Sequence, residues 1–267
     1  MLLAVDAGNT SIKFALFSDT PEPVCCCKLK TDPGRTADEY AALLQQGMAL
    51  YHADLNQTTK AICSSVVPQL THAIRKAVRL CCPGLEEFLM VGPGIKTGFS
   101  IQTDNPAELG TDLVANAACA KKEYSLPLII ADFGTATTLT FLDADSRLQG
   151  AVILPGVKTQ LLSLQSAAAL LPDVSPVSEI ERTDRLPLFG KDSPSSIRCG
   201  VLRGQAFAID GFVDACRTEW NGKITCIATG GLSEQVLPLC KNRFRVDPHL
   251  TIRGLYYLAC AQNKKKQ

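Results

Sequence analysis

Two stretches of this chain bring a carboxylate, a glycine and small polar side chains within a few positions of one another. The first, 6–13, holds Asp6, Ala7, Gly8, Asn9, Thr10, Ser11, Ile12 and Lys13; the second, 132–138, holds Asp132, Gly134, Thr135, Thr137 and Thr138. Binding a phosphate requires donors, a counter-charge and close approach. Glycine lets backbone amides come near an anion, Asn9 and Thr10 add side-chain donors, and Lys13 adds a cation. Asp6 would repel a phosphate, so its part is expected to run through Mg²⁺ or an ordered water. In the second stretch, neutral threonine oxygens beside the single carboxylate of Asp132 suit phosphate oxygens or a weakly hydrated monovalent cation. Either stretch alone also fits a plain hairpin or a threonine-rich strand. Their recurrence favours two related half-domains serving one nucleotide phosphate chain.

Two further clusters can do chemistry. Gly110, Thr111 and Asp112 stand where a helix begins. A carboxylate there is favoured as the anion by the helix dipole and can accept a proton from a hydroxyl nucleophile; a simple N-cap uses the same residue types. Thr229, Gly230 and Gly231 end a short apolar run. The glycines would let a flat ring such as adenine lie against the backbone, or would only open a helix.

These residues need strands that end in turns. Apolar runs predict strands at 2–5, 12–17, 61–64, 88–91, 128–131, 139–142, 150–154 and 224–228. Helices are expected at 38–51, 68–81, 111–122, 158–170, 194–220, 232–240 and 252–261. Leu70, Ala73, Ile74, Ala77, Val78 and Cys81 repeat at three and four residues and mark one apolar helix face. The stretch 171–191 reads as a loop, and Lys264, Lys265 and Lys266 as a solvated tail. Alternating strands and helices give an α/β class, with domains at 1–115 and 116–267.

Composition narrows the setting. The chain has 267 residues, 46% hydrophobic, with a net charge of +1, so no strong field points to nucleic acid or to a membrane surface. No apolar run approaches the roughly 20 residues of a spanning helix, and no signal peptide is visible; the expected location is the cytoplasm. Twelve cysteines without metal-type spacing read as reduced, mostly buried thiols.

Taken in order, several segments resemble one family. They are 6–10, Ser65 to Pro68, 91–98, 104–106 with 109–112, 132–138, Pro155 with Gly156, 229–231 and 247–255. Together they resemble type III pantothenate kinase over essentially the whole chain. The resemblance implies the acetate and sugar kinase, heat-shock ATPase and actin superfamily: two ribonuclease-H-like (actin-like ATPase) domains with ATP in the cleft between them. It implies ATP-dependent phosphorylation of pantothenate, the first step of coenzyme A synthesis, by a homodimer needing Mg²⁺ and K⁺ or NH₄⁺. By position it makes Asp112 the proton acceptor, Asp132 the monovalent-cation ligand, residues 6–13 the ATP phosphate loop and Thr135 another ATP contact. Gly110, Thr111 and Asp112 fall on the pantothenate side, as does Ser193, which keeps the hydroxyl of a Gly-Lys-Asn-Thr stretch.

Three positions depart from that pattern, all on the acceptor side. Leu113 stands where the family usually has Arg, Thr103 where it has Tyr, and Ser193 where it has Thr. Losing a buried Arg contact to an acidic substrate would weaken binding by about 2 to 4 kcal/mol. Two rival readings follow: a small-molecule kinase with a different acceptor, or a non-catalytic nucleotide-binding regulator.

Overall fold

The computed structural model describes residues 1–167, 171–172, 174 and 186–262. Most of the expected loop at 171–191 and the basic segment 264–266 lie outside those residues. Contacts divide the chain into two units, one formed by Met1–Glu123 with the segment from His249 onward, the other by Tyr124–Pro248. A single cut at 115/116 would pass through α3 (Thr111–Glu123), which is one unbroken helix.

In the first unit, alternation of apolar side chains folds β1 (Leu2–Ala7) and β2 (Ser11–Phe17) into an antiparallel hairpin. Leu3, Val5 and Ala7 face one core, while Leu2 and Ala4 face another. β3 (Pro23–Lys30) pairs antiparallel with β2. Next come α1 (Ala37–Ala49), β4 (Lys60–Ser65), α2 (Pro68–Cys81), β5 (Glu87–Met90), the two-residue β6 (Ser100–Ile101) and α3. The sheet order is β3-β2-β1-β4-β5, with β1, β4 and β5 parallel. One face buries α1 and α2 through Tyr40, Leu44, Met48, Leu70, Ile74 and Val78. Each such side chain contributes up to about 1.5–3 kcal/mol. The other face carries α3 and the C-terminal helix α7 (Leu250–Gln262) through Val114, Ala115, Ala118, Ile252, Leu255 and Leu258. Gly254 allows these helices to touch: a Cβ there would stand 1.8 Å from the Ala115 carbonyl oxygen.

The second unit contains β7 (Leu128–Phe133), β8 (Ala136–Leu142), β9 (Arg147–Pro155), α4 (Val157–Ala167), α5 (Ser193–Glu219), β10 (Thr225–Thr229), α6 (Ser233–Val236) and β11 (Arg245–Val246). Its strands run β11-β10-β7-β8-β9. Here β7-β8 and β8-β9 are antiparallel, and β7-β10 and β10-β11 parallel. This is the strand order of the first unit repeated, so the doubled motif reflects a doubled topology. α4 and α5 cover one face through Val157, Leu161, Val201, Leu202, Ala206 and Ile209.

Several local expectations differ from what forms, and the two-residue strands β6 and β11 are not foreseen by the sequence reading. The sequence reading has no strand at 23–30, because three adjacent cysteines obscure the alternation. Cys25 and Cys27 face the α1/α2 core and Cys26 packs on the opposite face. The expected helix at 232–240 shrinks to the four residues of α6 and a 3₁₀ turn at Leu237–Leu239, as Pro238 deprives the helix of a donor. All twelve cysteines are free and eight are buried, with burial pushing Cys63 and Cys81 up to about 12. No helix among the described residues is long and apolar enough to cross a membrane.

Candidate active site

Parallel β1 and β4 end side by side, with Asp6 opposite Ser64 and Ala7 opposite Ser65. Ligands of open α/β sheets gather at such carboxyl ends. Asp6 also stands opposite Lys13 on β2, so Asp6, Ser64 and Lys13 share the α3/α7 side of the sheet. The connecting turn closes by Gly8 N–H donating to the Ser11 carbonyl at 3.1 Å. A Cβ on Gly8 would lie 3.2 Å from that same oxygen. Thr31 braces the turn, its hydroxyl donating to the Gly8 carbonyl at 2.6 Å and its amide to the Thr10 carbonyl at 3.1 Å. Asn9 and Thr10 are exposed at the tip, and Ser11 and Lys13 are half-buried. Ala7 and Ile12 bury their side chains in the α1/α2 core, so only their main chain can serve a ligand. Asn9 has no positive φ; the hairpin closes without a left-handed residue.

α3 begins at the same edge. Ser64 Oγ and Thr111 Oγ1 are 2.9 Å apart, and Thr111 donates to the Ser65 carbonyl at 3.3 Å. Val114 N–H donates to the Gly110 carbonyl, which places Asp112 inside the first turn and not at the cap. Its Oδ1 accepts from Leu113 N–H at 2.9 Å. That oxygen sits 2.5 Å from where a Cβ at 110 would be, so glycine at 110 is the space the carboxylate occupies. Burial raises the Asp112 pKa, outweighing the main-chain hydrogen bonds that lower it. The expectation that the helix dipole dominates is therefore corrected. The amides do favour the anion, but desolvation wins, and the carboxylate is more basic than a surface aspartate. Leu113 is 4% exposed and offers that position no cation.

Ser64 was absent from the residues singled out by sequence. Its signal is weak: a serine closing a strand whose partner strand ends in Asp6. Ser64→Ala removes the hydroxyl pair that ties β4 to the residue before Asp112. We expect a loss of about 1 kcal/mol in stability and a several-fold lower kcat with the ATP KM unchanged. A wild-type kcat in this variant would show that the pair positions nothing.

In the second unit, Asp132, the last residue but one of β7, lies opposite Thr138 on β8 and opposite Thr229 on β10. These three share a face. Thr137 pairs with Phe133 and lies on the α4/α5 side, so it cannot join Asp132 as the sequence suggested. Thr229 is 1% exposed, and its hydroxyl has no hydrogen-bond partner among the described residues. Gly230 has φ +90° and presses on β7: a Cβ would meet Phe133 N at 2.5 Å and Asp132 Oδ1 at 2.6 Å. Thr135 is exposed in the turn. Its carbonyl accepts from Gly156 N–H at 3.0 Å and from the Thr159 hydroxyl at 2.6 Å. Ser193 is the exposed first residue of α5. Asp192 caps that helix, accepting from Ser195 N–H at 2.7 Å. Gly190 fits under the first turn, where a Cβ would lie 2.1 Å from Ser196 N.

A cavity of about 310 Å³ lined by Arg79, Cys82, Glu86 and Phe88 opens at the amino-terminal end of β5, away from this edge.

Solved structures place the fold. The activator of 2-hydroxyisocaproyl-CoA dehydratase from Clostridium difficile, with bound ADPNP, superposes with TM-score 0.57 at 12% identity, covering 99% of this chain and 97% of that one. Component A of (R)-2-hydroxyglutaryl-CoA dehydratase from Acidaminococcus fermentans gives 0.54 at 13%, covering 98% and 99%. The architecture is the actin-like ATPase fold of two similar α/β units. Within that class, the sequence model described as type III pantothenate kinase matches residues 2–215. Type III pantothenate kinases from Bacillus cytotoxicus (36% identical; 97% of this chain, 95% of that protein) and Moorella thermoacetica (34%; 96% and 97%) align along the whole length. The chain belongs to the type III pantothenate kinase family.

Proposed function

We propose that this chain transfers the γ-phosphoryl group of ATP to the primary hydroxyl of pantothenate, giving 4'-phosphopantothenate and ADP, the first step of coenzyme A synthesis. The observation that carries this is identity of 34% and 36% to curated pantothenate kinases over nearly the full length of both partners. Residues 6–13 would take the phosphates, Gly8 giving access, with Lys13 adding positive charge. Thr135 would make a further ATP contact. Gly110, Thr111 and Ser193 would line the pantothenate side. Asp112 takes the hydroxyl proton as the new O–P bond forms and the bond to ADP breaks. Its burial beside the main-chain amides of α3 supports that role, since a raised pKa suits a base acting near neutral pH.

Asp132 would hold a monovalent cation, K⁺ or NH₄⁺. The buried Thr229 hydroxyl beside it, without a protein partner among the described residues, fits a neutral oxygen ligand. Mg²⁺, held through Asp6, would supply charge neutralisation at the phosphates. A cytoplasmic homodimer belongs to the same reading and rests on the family resemblance.

Purified protein given ATP, Mg²⁺, K⁺ and pantothenate is expected to release one ADP per phosphopantothenate formed, and more slowly when Na⁺ replaces K⁺. Tight ATP binding with no turnover of pantothenate would reject the kinase. Faster turnover of another hydroxyl compound would move the acceptor.

A further inference from the structure

The seam between α3 and α7 is polar on one stripe in an otherwise apolar interface. Asp112, Asn116, Cys119 and Glu123 recur at four, three and four residues and share one face of α3. Thr251 Oγ1 on α7 donates to Asn116 Oδ1 at 2.8 Å, and both residues are buried, at 5% and 0% exposure. One turn on, Arg253 Nη2 lies 3.8 Å from Cys119 Sγ. At the last turn, Arg253 pairs with Glu123, and the Tyr257 hydroxyl donates to Glu123 at 2.8 Å. Beside the stripe the packing is small and apolar: Ala115, Ala118 and Ala259, with Gly254 against the Ala115 carbonyl. That packing, with the larger Val114, Ile252, Leu255 and Leu258, sets how closely the helices approach, and the polar pairs add the requirement that donor meet acceptor. Polar groups that match at only one offset select a single register.

We propose that Thr251 is a positioning residue for the phosphoryl transfer, acting through Asn116 to fix the register of α3 and so the place of Asp112. The inference rests on Asp112 being the base. Asn116 sits one turn behind Asp112 on the same face, and α3 runs unbroken between them. A shift of α3 at Asn116 is therefore carried to the carboxylate. Displacing a reacting group by about 1 Å can cost about 10²-fold in rate.

Thr251→Val keeps the shape and removes the donor. We expect kcat to fall about tenfold while the ATP KM stays within about twofold. The acid limb of the kcat–pH profile should also move, because the surroundings of Asp112 change. Thr251→Ser should restore both. Tyr257→Phe, which removes a hydroxyl from the far end of the seam, should shift the same quantities less; it serves as the second variant if Thr251→Val fails to fold. A lowered melting temperature with wild-type kcat and pH profile in these variants would overturn the inference and leave the seam merely structural. The base assignment is tested separately by Asp112→Asn. If that variant is inactive while Thr251→Val matches wild type, the positioning role alone fails; if it is active, the base reading fails.

Discussion

Asp112→Asn is expected to lower kcat by about 10²–10⁴-fold and to raise the melting temperature at pH 7. The two effects have one cause. The carboxylate lies half-buried in the first turn of α3, where desolvation holds its pKa above that of an ordinary aspartate. The folded protein thus binds this proton more tightly than the unfolded chain does. Stability from the group is fully present below the unfolded pKa and is lost as pH rises through the folded one. Above the folded pKa the wild type carries a half-buried anion and the amide variant does not. The amide oxygen can still accept from Leu113 N–H, so the helix start is kept. The gain in melting temperature should shrink towards zero as pH falls into the ordinary aspartate range. Calorimetry from pH 4 to 7.5, beside kcat at pH 7 and an ATP titration, reads all of this. An unchanged kcat would remove Asp112 from the chemistry. A melting gain that persists undiminished at pH 4 would show that the carboxylate is not strained by burial.

The parts of the fold legible in the sequence are those where one short pattern determines one structure. Both hairpins follow from an apolar run, a turn built on Gly8 or Gly134, and a second run. The α2 face follows from a period of three and four that places Leu70, Ile74, Ala77 and Val78 on one side. The place of Asp112 in the first turn of α3 follows from the helix that begins beside it. What stayed hidden depends on elements far apart in the chain. The pairing of Ser64 with Thr111 spans 47 residues, and that of Thr251 with Asn116 spans 135; neither leaves a local trace. α7 belongs to the first unit although it is last in sequence, and no periodicity announces that return. Register decides the rest. Thr137 and Thr138 look equivalent as residues, yet they point to opposite faces of β8, and only Thr138 shares a side with Asp132. The direction of the Asp112 shift was equally out of reach, because it balances a helix end visible in sequence against a burial that is not.

Gly230→Ala tests the second carboxylate, and a large loss is expected. Two penalties act together. With φ at +90°, an alanine is held in backbone space that side chains avoid, costing about 1–3 kcal/mol. Its methyl would also overlap Phe133 N and Asp132 Oδ1, at 2.5 and 2.6 Å, and overpacking of this kind costs about 1–3 kcal/mol more. The total, about 2–6 kcal/mol, is a large fraction of the stability of a typical domain. The backbone of β7 is fixed by ladders to β8 and β10, so Phe133 N and C cannot yield and the turn at 229–231 must shift away from β7. That turn adjoins the Asp132 carboxylate, so the K⁺ stimulation proposed above should weaken beyond what the drop in stability explains. Gly231→Ala is the control, since a Cβ there meets nothing within 4 Å and no positive φ is required; its melting temperature and K⁺ response should stay close to wild type. Thermal melts with and without K⁺, beside rates across a K⁺ titration at a temperature where each variant is folded, separate the two effects. If Gly230→Ala melts like wild type, the turn at Gly230 does not press on β7. If it is destabilised but keeps its full K⁺ response, Asp132 is not the group that holds the cation.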